Sequence, residues 1–350
     1  MPSSRHSRTS MATEQATFLL FFNMQFVLTT SRRLFVIVAL TGFLQSCISG
    51  GKFGTASSAN TGIPASDSVI TVFVLGDWGD QGSAPQRKVA QAMAQTATRV
   101  PPRFILTTGD NFYPAGVRDT ADLLWKTNFE EVYNAPSLQV PWLPVLGNHD
   151  YLLNPDAQVD YTAKKGNWHM PARYYDSSFA IGNDSVLFVF MDTEPIEQFL
   201  RKMPPDPARF PEGGAHRQLI WLQAVLQSSR AKWKVVLGHH PLHTGGTRRH
   251  SSRTRKMRDI LQPIFKQAGV DLYLSGHEHQ LEYLKPGNQP THYVISGAGS
   301  ETRHVGYLKR YRRFAARQKG FAVISIASTK ITLQFIGDDQ RILFSSEIGK

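Results

Sequence analysis

From residue 69 onward, short apolar runs alternate with stretches whose apolar positions recur every three or four residues. Val69–Leu75 is rich in β-branched residues and predicts a strand. A helix is predicted over 85–98, with Pro85 placed for its first turn. Phe104–Thr107 reads as a buried strand of a parallel sheet. Residues 121–133 predict a second helix. Trp142–Leu146 predicts a strand that Pro141 and Pro144 make irregular, which suits an edge or a bulge. Two antiparallel strands are expected within 174–191 around Gly182-Asn183-Asp184.

Residues 194–214, rich in Pro, Glu and Arg, read as a long surface loop. The helix predicted over 216–228 lines up Leu219, Leu222 and Leu226, and Lys234–Leu237 is the next strand. A stripe of Met257, Ile260, Leu261, Ile264, Phe265 and Ala268 predicts a helix over 255–268 capped by Gly269. Asp271–Leu274 is a strand, and only strand-like runs follow: 292–296, 321–326, 331–336 and 342–345. Strands alternating with helices, then an all-strand tail, indicate an α/β domain over 69–350 with packed sheets and helices outside.

The preceding segment has a different pattern. The apolar run 34–44 has signal-peptide length and is short for a membrane span. Ser31-Arg32-Arg33-Leu34-Phe35 resembles a bacterial twin-arginine signal, and Leu44-Gln45-Ser46-Cys47 a lipoprotein cleavage box. Residues 1–47 are therefore read as a signal peptide, within which Met24 alone begins a complete signal. Residues 48–68, rich in Gly, Ser, Ala and Thr, read as a flexible tether. Export is expected, to the periplasm or to the cell envelope through an acyl anchor on Cys47. Cys47 is the one cysteine, so no internal disulfide can form.

Composition adds a constraint on partners. Apolar residues at 41% and charged residues at 19% are those of an ordinary globular chain. The formal charge of +12 is high, and beyond the signal segment it concentrates in 248–258 and 303–317. Such a charge suits nucleic acid, an acidic membrane surface or a small phosphorylated substrate, and since the first cluster lacks aromatics at stacking spacing, nucleic acid is not expected.

The chemistry gathers where strands end. Five times an apolar run leads through a glycine or another small residue to metal-ligand side chains: Asp77; Asp110 with Tyr113; Asn148 and His149; His239; and His277 with His279. Alone, Gly-Asp reads as a turn and Gly-His-Glu-His as a surface loop. Together, at the carboxyl ends of strands that a parallel sheet would gather on one edge, they read as one site.

Gly76-Asp77, Gly109-Asp110-Asn111-Phe112-Tyr113, Gly147-Asn148-His149-Asp150, Val236-Leu237-Gly238-His239 and Gly276-His277-Glu278-His279 resemble the five motifs of purple acid phosphatases, within the calcineurin-like metallophosphoesterases. The small, tartrate-resistant branch is the nearer match. Pro171–Tyr175, Phe190–Thr193, Leu281–Tyr283 and Ser296–Gly299 extend the resemblance. It implies a four-layer α/β fold with two mixed sheets face to face and the site at the C-terminal strand ends. It also implies a dinuclear enzyme; a monomer is expected, with the oligomeric state open. Ferric iron would take Asp77, Asp110, Tyr113 and His279; iron(II), zinc or manganese would take Asp110, Asn148, His239 and His277. Hard oxyanions suit the first ion, imidazoles and an amide the second.

The implied reaction is phosphomonoester hydrolysis by attack of a metal-bound hydroxide, with Asn148 and His149 meeting the substrate and His149 protonating the leaving group. Asp150 would orient that ring or serve the structure. The chain departs from the family after His239, where a further catalytic histidine is expected. His250 lies near that place, Arg248 could supply the phosphate contact instead, and His240 could line the pocket or simply pack. In animal relatives the loop corresponding to 194–214 covers the site, so partial self-inhibition is an expectation. A phosphodiesterase or nucleotidase of the same architecture is the alternative activity, and a non-catalytic surface lipoprotein the alternative class.

Overall fold

The computed structural model describes residues 68–350 apart from Lys165, 202–212, Asn288, Tyr307 and Lys309. The signal peptide with Cys47, nearly all of the tether and the middle of the 194–214 segment lie outside the described residues. Among the described residues, no helix is long and apolar enough to cross a membrane.

Two mixed sheets form the centre. The first has six strands in the order β13-β12-β11-β1-β2-β3. They are β1 (Val69–Leu75), β2 (Phe104–Thr107), β3 (Trp142–Pro144), β11 (Gly320–Ala327), β12 (Lys330–Gly337) and β13 (Ile342–Gly349). The second has seven, in the order β10-β8-β9-β7-β6-β5-β4. They are β4 (Tyr175–Ile181), β5 (Asp184–Phe190), β6 (Trp233–Leu237), β7 (Leu272–Ser275), β8 (Leu281–Leu284), β9 (His292–Ser296) and β10 (Arg312–Ala316).

The sheets pack face to face because both inner faces are apolar. Phe104 of β2 meets Phe179 of β4 and Phe188 of β5, with ring centroids 4.6 and 5.4 Å apart. Each such ring, fully buried, contributes on the order of 2 kcal/mol. β1, β2 and β3 run parallel, as do β5, β6, β7 and β9, so their carboxyl ends collect along one edge of each sheet.

Helices cover the outer faces. In α1 (Ala84–Arg99) the Ser83 hydroxyl accepts from the Gln86 N–H, and Val89, Ala90, Met93 and Ala97 are buried. α2 (Asp156–Tyr161) and α3 (Glu194–Phe199) are short. α4 (Gly214–Ser228) buries Leu219, Trp221, Leu222 and Leu226. In α5 (Ser252–Ala268) Ser251 caps the start and Gly269, at φ 66°, ends it.

Several expectations change. Over 121–133 the regular part is a π-helix at Trp125–Glu130, which turns Trp125 and Phe129 into the aromatic cluster around Trp168. Residues 194–199 form a buried helix, not a surface loop: Glu194 and Glu197 are covered because Arg201 pairs with both and Arg253 with Glu197. β8, paired with β9 on one side, and β10, paired with β8 on the other, are strands that no alternation announced.

Candidate metal centre and active site

The donors stand on backbone that few residues adopt. Asp77, Asp110 and His277 each leave their strand with left-handed φ, at 54°, 51° and 68°. Such geometry costs on the order of 1 kcal/mol at a non-glycine residue. It folds each side chain back over the sheet edge. Each carboxylate is then anchored by the neighbouring loop, since the His277 N–H donates to Asp77 Oδ2 at 2.8 Å and the His149 N–H to Asp110 Oδ1 at 2.9 Å. The other carboxylate oxygens remain for the site.

Around Asp110 Oδ2 two donor sets meet. In the first, Tyr113 Oη lies 3.0 Å from Asp110 Oδ2, 3.2 Å from Asp77 Oδ1 and 3.2 Å from His279 Nε2. In the second, His239 Nε2 lies 3.5 Å from Asp110 Oδ2, 3.1 Å from Asn148 Oδ1 and 3.0 Å from His277 Nδ1. One ion with bonds of about 2.1 Å holds its ligands roughly 3.0–3.4 Å apart, close to the 3.0–3.5 Å found in the two sets. Asp110, His239 and His277 also converge as a cation-binding group by themselves.

Proton bookkeeping also fits a cation. Against the Thr108 carbonyl at 2.9 Å, His239 Nδ1 is a donor, so its Nε2 lone pair faces the other donors. Burial, with the charges of Asp77 and Asp110, pushes the Tyr113 phenol well above its usual range. A phenol with one proton cannot satisfy both carboxylates; a cation among them reverses the sign of every contact. Burial also holds the His277 imidazole well below its usual range, neutral and ready to ligate.

The residues expected beside the metals divide. The half-buried His149 sets its ring edge-on to Tyr113 at 4.6 Å, and its Nδ1 donates to the Pro114 carbonyl at 2.6 Å, which leaves Nε2 for substrate. Asp150 does not orient that ring. Its carboxylate, fully buried, accepts the N–H groups of Gly147, Asn111 and Phe112, bracing the Asp110 loop against the Asn148 loop. Burial and the nearby Asp110 raise the Asp150 carboxyl to about 6.

His240 does both: it packs, Nδ1 meeting Thr193 Oγ1 at 2.9 Å and Nε2 lying 3.4 Å from Glu194 Oε2, and it lines the cleft beside His277. His250 is not brought to the site; it is exposed, and its Nε2 accepts from Arg249. Arg248 is at the site, donating from Nη1 to the His277 carbonyl at 3.1 Å. With His240, His277, Ser251, Arg253 and Glu197 it lines a small cleft beside the second donor set.

Asn111 is a functional residue the sequence reading passed over. Its Oδ1 accepts from Trp78 Nε1 and Thr107 Oγ1, while Nδ2 donates to the Val145 carbonyl and Gln158 Oε1. Every polar atom of that amide is used to hold the loop that carries Asp110 and Tyr113. Its place between two ligands was the available signal.

Comparison with known proteins identifies the family. Residues 70–281 match the calcineurin-like phosphoesterase family. Human tartrate-resistant acid phosphatase type 5 is 34% identical over 295 residues, 78% of this chain and 89% of its own. Purple acid phosphatase 17 of Arabidopsis thaliana is 34% identical over 243 residues, 67% of this chain and 70% of its own. Among solved structures, the GAP50 anchor of the Plasmodium inner membrane complex superposes with a TM-score of 0.71 at 24% identity, covering 80% of this chain and 89% of that one, which speaks to the fold. The chain thus belongs to the calcineurin-like phosphoesterases and, within them, to the purple acid phosphatases: it is an acid phosphatase that hydrolyses phosphoesters at a dinuclear metal site.

Proposed function

We propose that the chain hydrolyses phosphomonoesters, with ferric iron held by Asp77, Asp110, Tyr113 and His279 and a divalent iron, zinc or manganese held by Asp110, Asn148, His239 and His277. The observation that carries this reading is that one oxygen, Asp110 Oδ2, belongs to both donor sets. When bound, the metal pair supplies Lewis acidity, lowering the pKa of a water and clamping the phosphoryl oxygens.

The chain's own residues do the rest. Asn148 and Arg248 offer an amide and a guanidinium to the phosphoryl oxygens. His149, steadied through Nδ1, carries a proton on Nε2 to the departing oxygen, a transfer worth roughly 10²–10⁴-fold for alkyl leaving groups and less for aryl ones. Asn111 and Asp150 keep the ligand loops in register while this happens. We also infer export and attachment through Cys47; the signal-like segment 31–47 supports both.

The test is a pH–rate profile of the full chain, loaded with iron and zinc, on an aryl phosphomonoester and the matching diester. Monoester turnover in acid that disappears in Asp110→Asn is expected. Diester preference would move the assignment to a phosphodiesterase, and a wild type that binds two metals without turning over either ester would refute catalysis.

A further inference from the structure

Glu278 stands between the ligands His277 and His279, yet its side chain points away from the donor sets and is completely buried. Its carboxylate is committed to a different loop. Oε1 accepts the Arg248 N–H at 2.7 Å, and Oε2 accepts the Thr247 N–H at 3.3 Å and the Thr247 hydroxyl at 3.0 Å. Arg248 Nη1 lies 3.6 Å from Oε2 while donating to the His277 carbonyl. Gly246 makes room for this: a Cβ there would fall 2.7 Å from Glu278 Cδ and Oε2.

We infer that Glu278 is a positioning residue of the hydrolase, holding Arg248 where its guanidinium meets the phosphoryl group. The physical reason is entropic. An arginine side chain is long and loses much rotamer freedom when it is fixed. Here its backbone N–H and its Nη1 are tied down in the free protein, and the residue lines the cleft beside His277. Anion affinity then depends on a carboxylate that never touches the anion. The inference rests on the donor sets being a phosphate site, and it assigns Glu278 to the substrate as well as to the fold.

The test compares Glu278→Gln, Arg248→Ala and the double variant, each loaded with both metals. The affinity for inorganic phosphate is measured by calorimetry and KM and kcat with an aryl monoester. Losing one charge-assisted contact predicts a roughly 10-fold weaker phosphate affinity and higher KM in each single variant, with kcat much less affected. The double variant should be no worse than Arg248→Ala. Gly246→Ala, which pushes the loop off Glu278 from the other side, should weaken phosphate in the same way if Glu278→Gln does not fold.

Unchanged phosphate affinity in Glu278→Gln, or losses that multiply in the double variant, would overturn the inference. So would a fall in metal content and kcat with no change in phosphate affinity, the mark of a merely structural carboxylate. Phosphate binding does not require turnover. A loaded protein that fails to hydrolyse monoesters but shows the predicted affinity pattern would refute the proposed reaction and leave the positioning role standing.

Discussion

Gly147 gives the sharpest test of the shared aspartate. A Cβ at this position would lie 2.2 Å from both the amide nitrogen and Oδ1 of Asp110, whereas ordinary contact begins at 3.4 Å. Gly147→Ala therefore demands a relative shift of about 1.2 Å between the two loops. Asp110 cannot give way cheaply: it already holds φ 51°, and its Oδ1 is tied to the His149 N–H. Overpacking of this kind costs roughly 1–3 kcal/mol, a fall of several degrees in melting temperature. The larger effect is on the site, because moving a positioned group by about 1 Å can lower the rate ~10²-fold. Since Asp110 Oδ2 serves both donor sets, both ions should bind less tightly.

The assay is kcat/KM on an aryl monoester with metal content by emission spectroscopy. Gly349→Ala, whose Cβ would meet nothing within 4 Å, serves as the control. A Gly147→Ala protein with two metals and a rate within about threefold of wild type would refute the argument that Asp110 must occupy this place.

Two further outcomes are expected. With ferric iron bound as proposed, the wild type should show a visible phenolate-to-iron charge-transfer band; Tyr113→Phe, which keeps the ring against His149, should lose it and retain iron less well, and a variant that keeps the band contradicts the ligand assignment. His243, 7% exposed against Tyr293, has its imidazole pushed by burial from 6.5 down to about 4, so the folded chain binds a proton less readily than the unfolded one. Its contribution is whole above pH 6.5 and is lost as pH falls through about 4, a span worth ~3 kcal/mol. His243→Phe should flatten the loss of melting temperature over that range, and an unchanged acid slope would refute this.

Much of the site could be read from the chain because its chemistry is local. A strand such as Phe104–Thr107 declares itself by apolar, β-branched residues, and the structure ends it at the same residue. Motifs such as Gly109-Asp110-Asn111-Phe112-Tyr113 carry two ligands within one turn of backbone. Their convergence followed from the parallel order of the strands, which alternation with helices already indicated.

What escaped the sequence depends on partners distant along the chain. Glu194 and Glu197 look like surface charge until Arg201, Arg253 and His240 surround them. Arg312 looks like basic loop until β8 offers it a strand to pair with and Glu282 takes its guanidinium. Asp150, which could orient His149 or serve the structure, and His250, which lies near the place where the resemblance expects a catalytic histidine, are decided by the direction of their side chains. Sequence closeness does not say which way a side chain points: Asp150 turns to three backbone N–H groups, His250 to Arg249 and solvent. The kinds of ligand and their order were written along the chain, because strand patterning and metal preference are properties of short segments. Which oxygen is shared, and which carboxylate braces a loop, were settled by packing, because those choices are made between residues that meet only after the two sheets close.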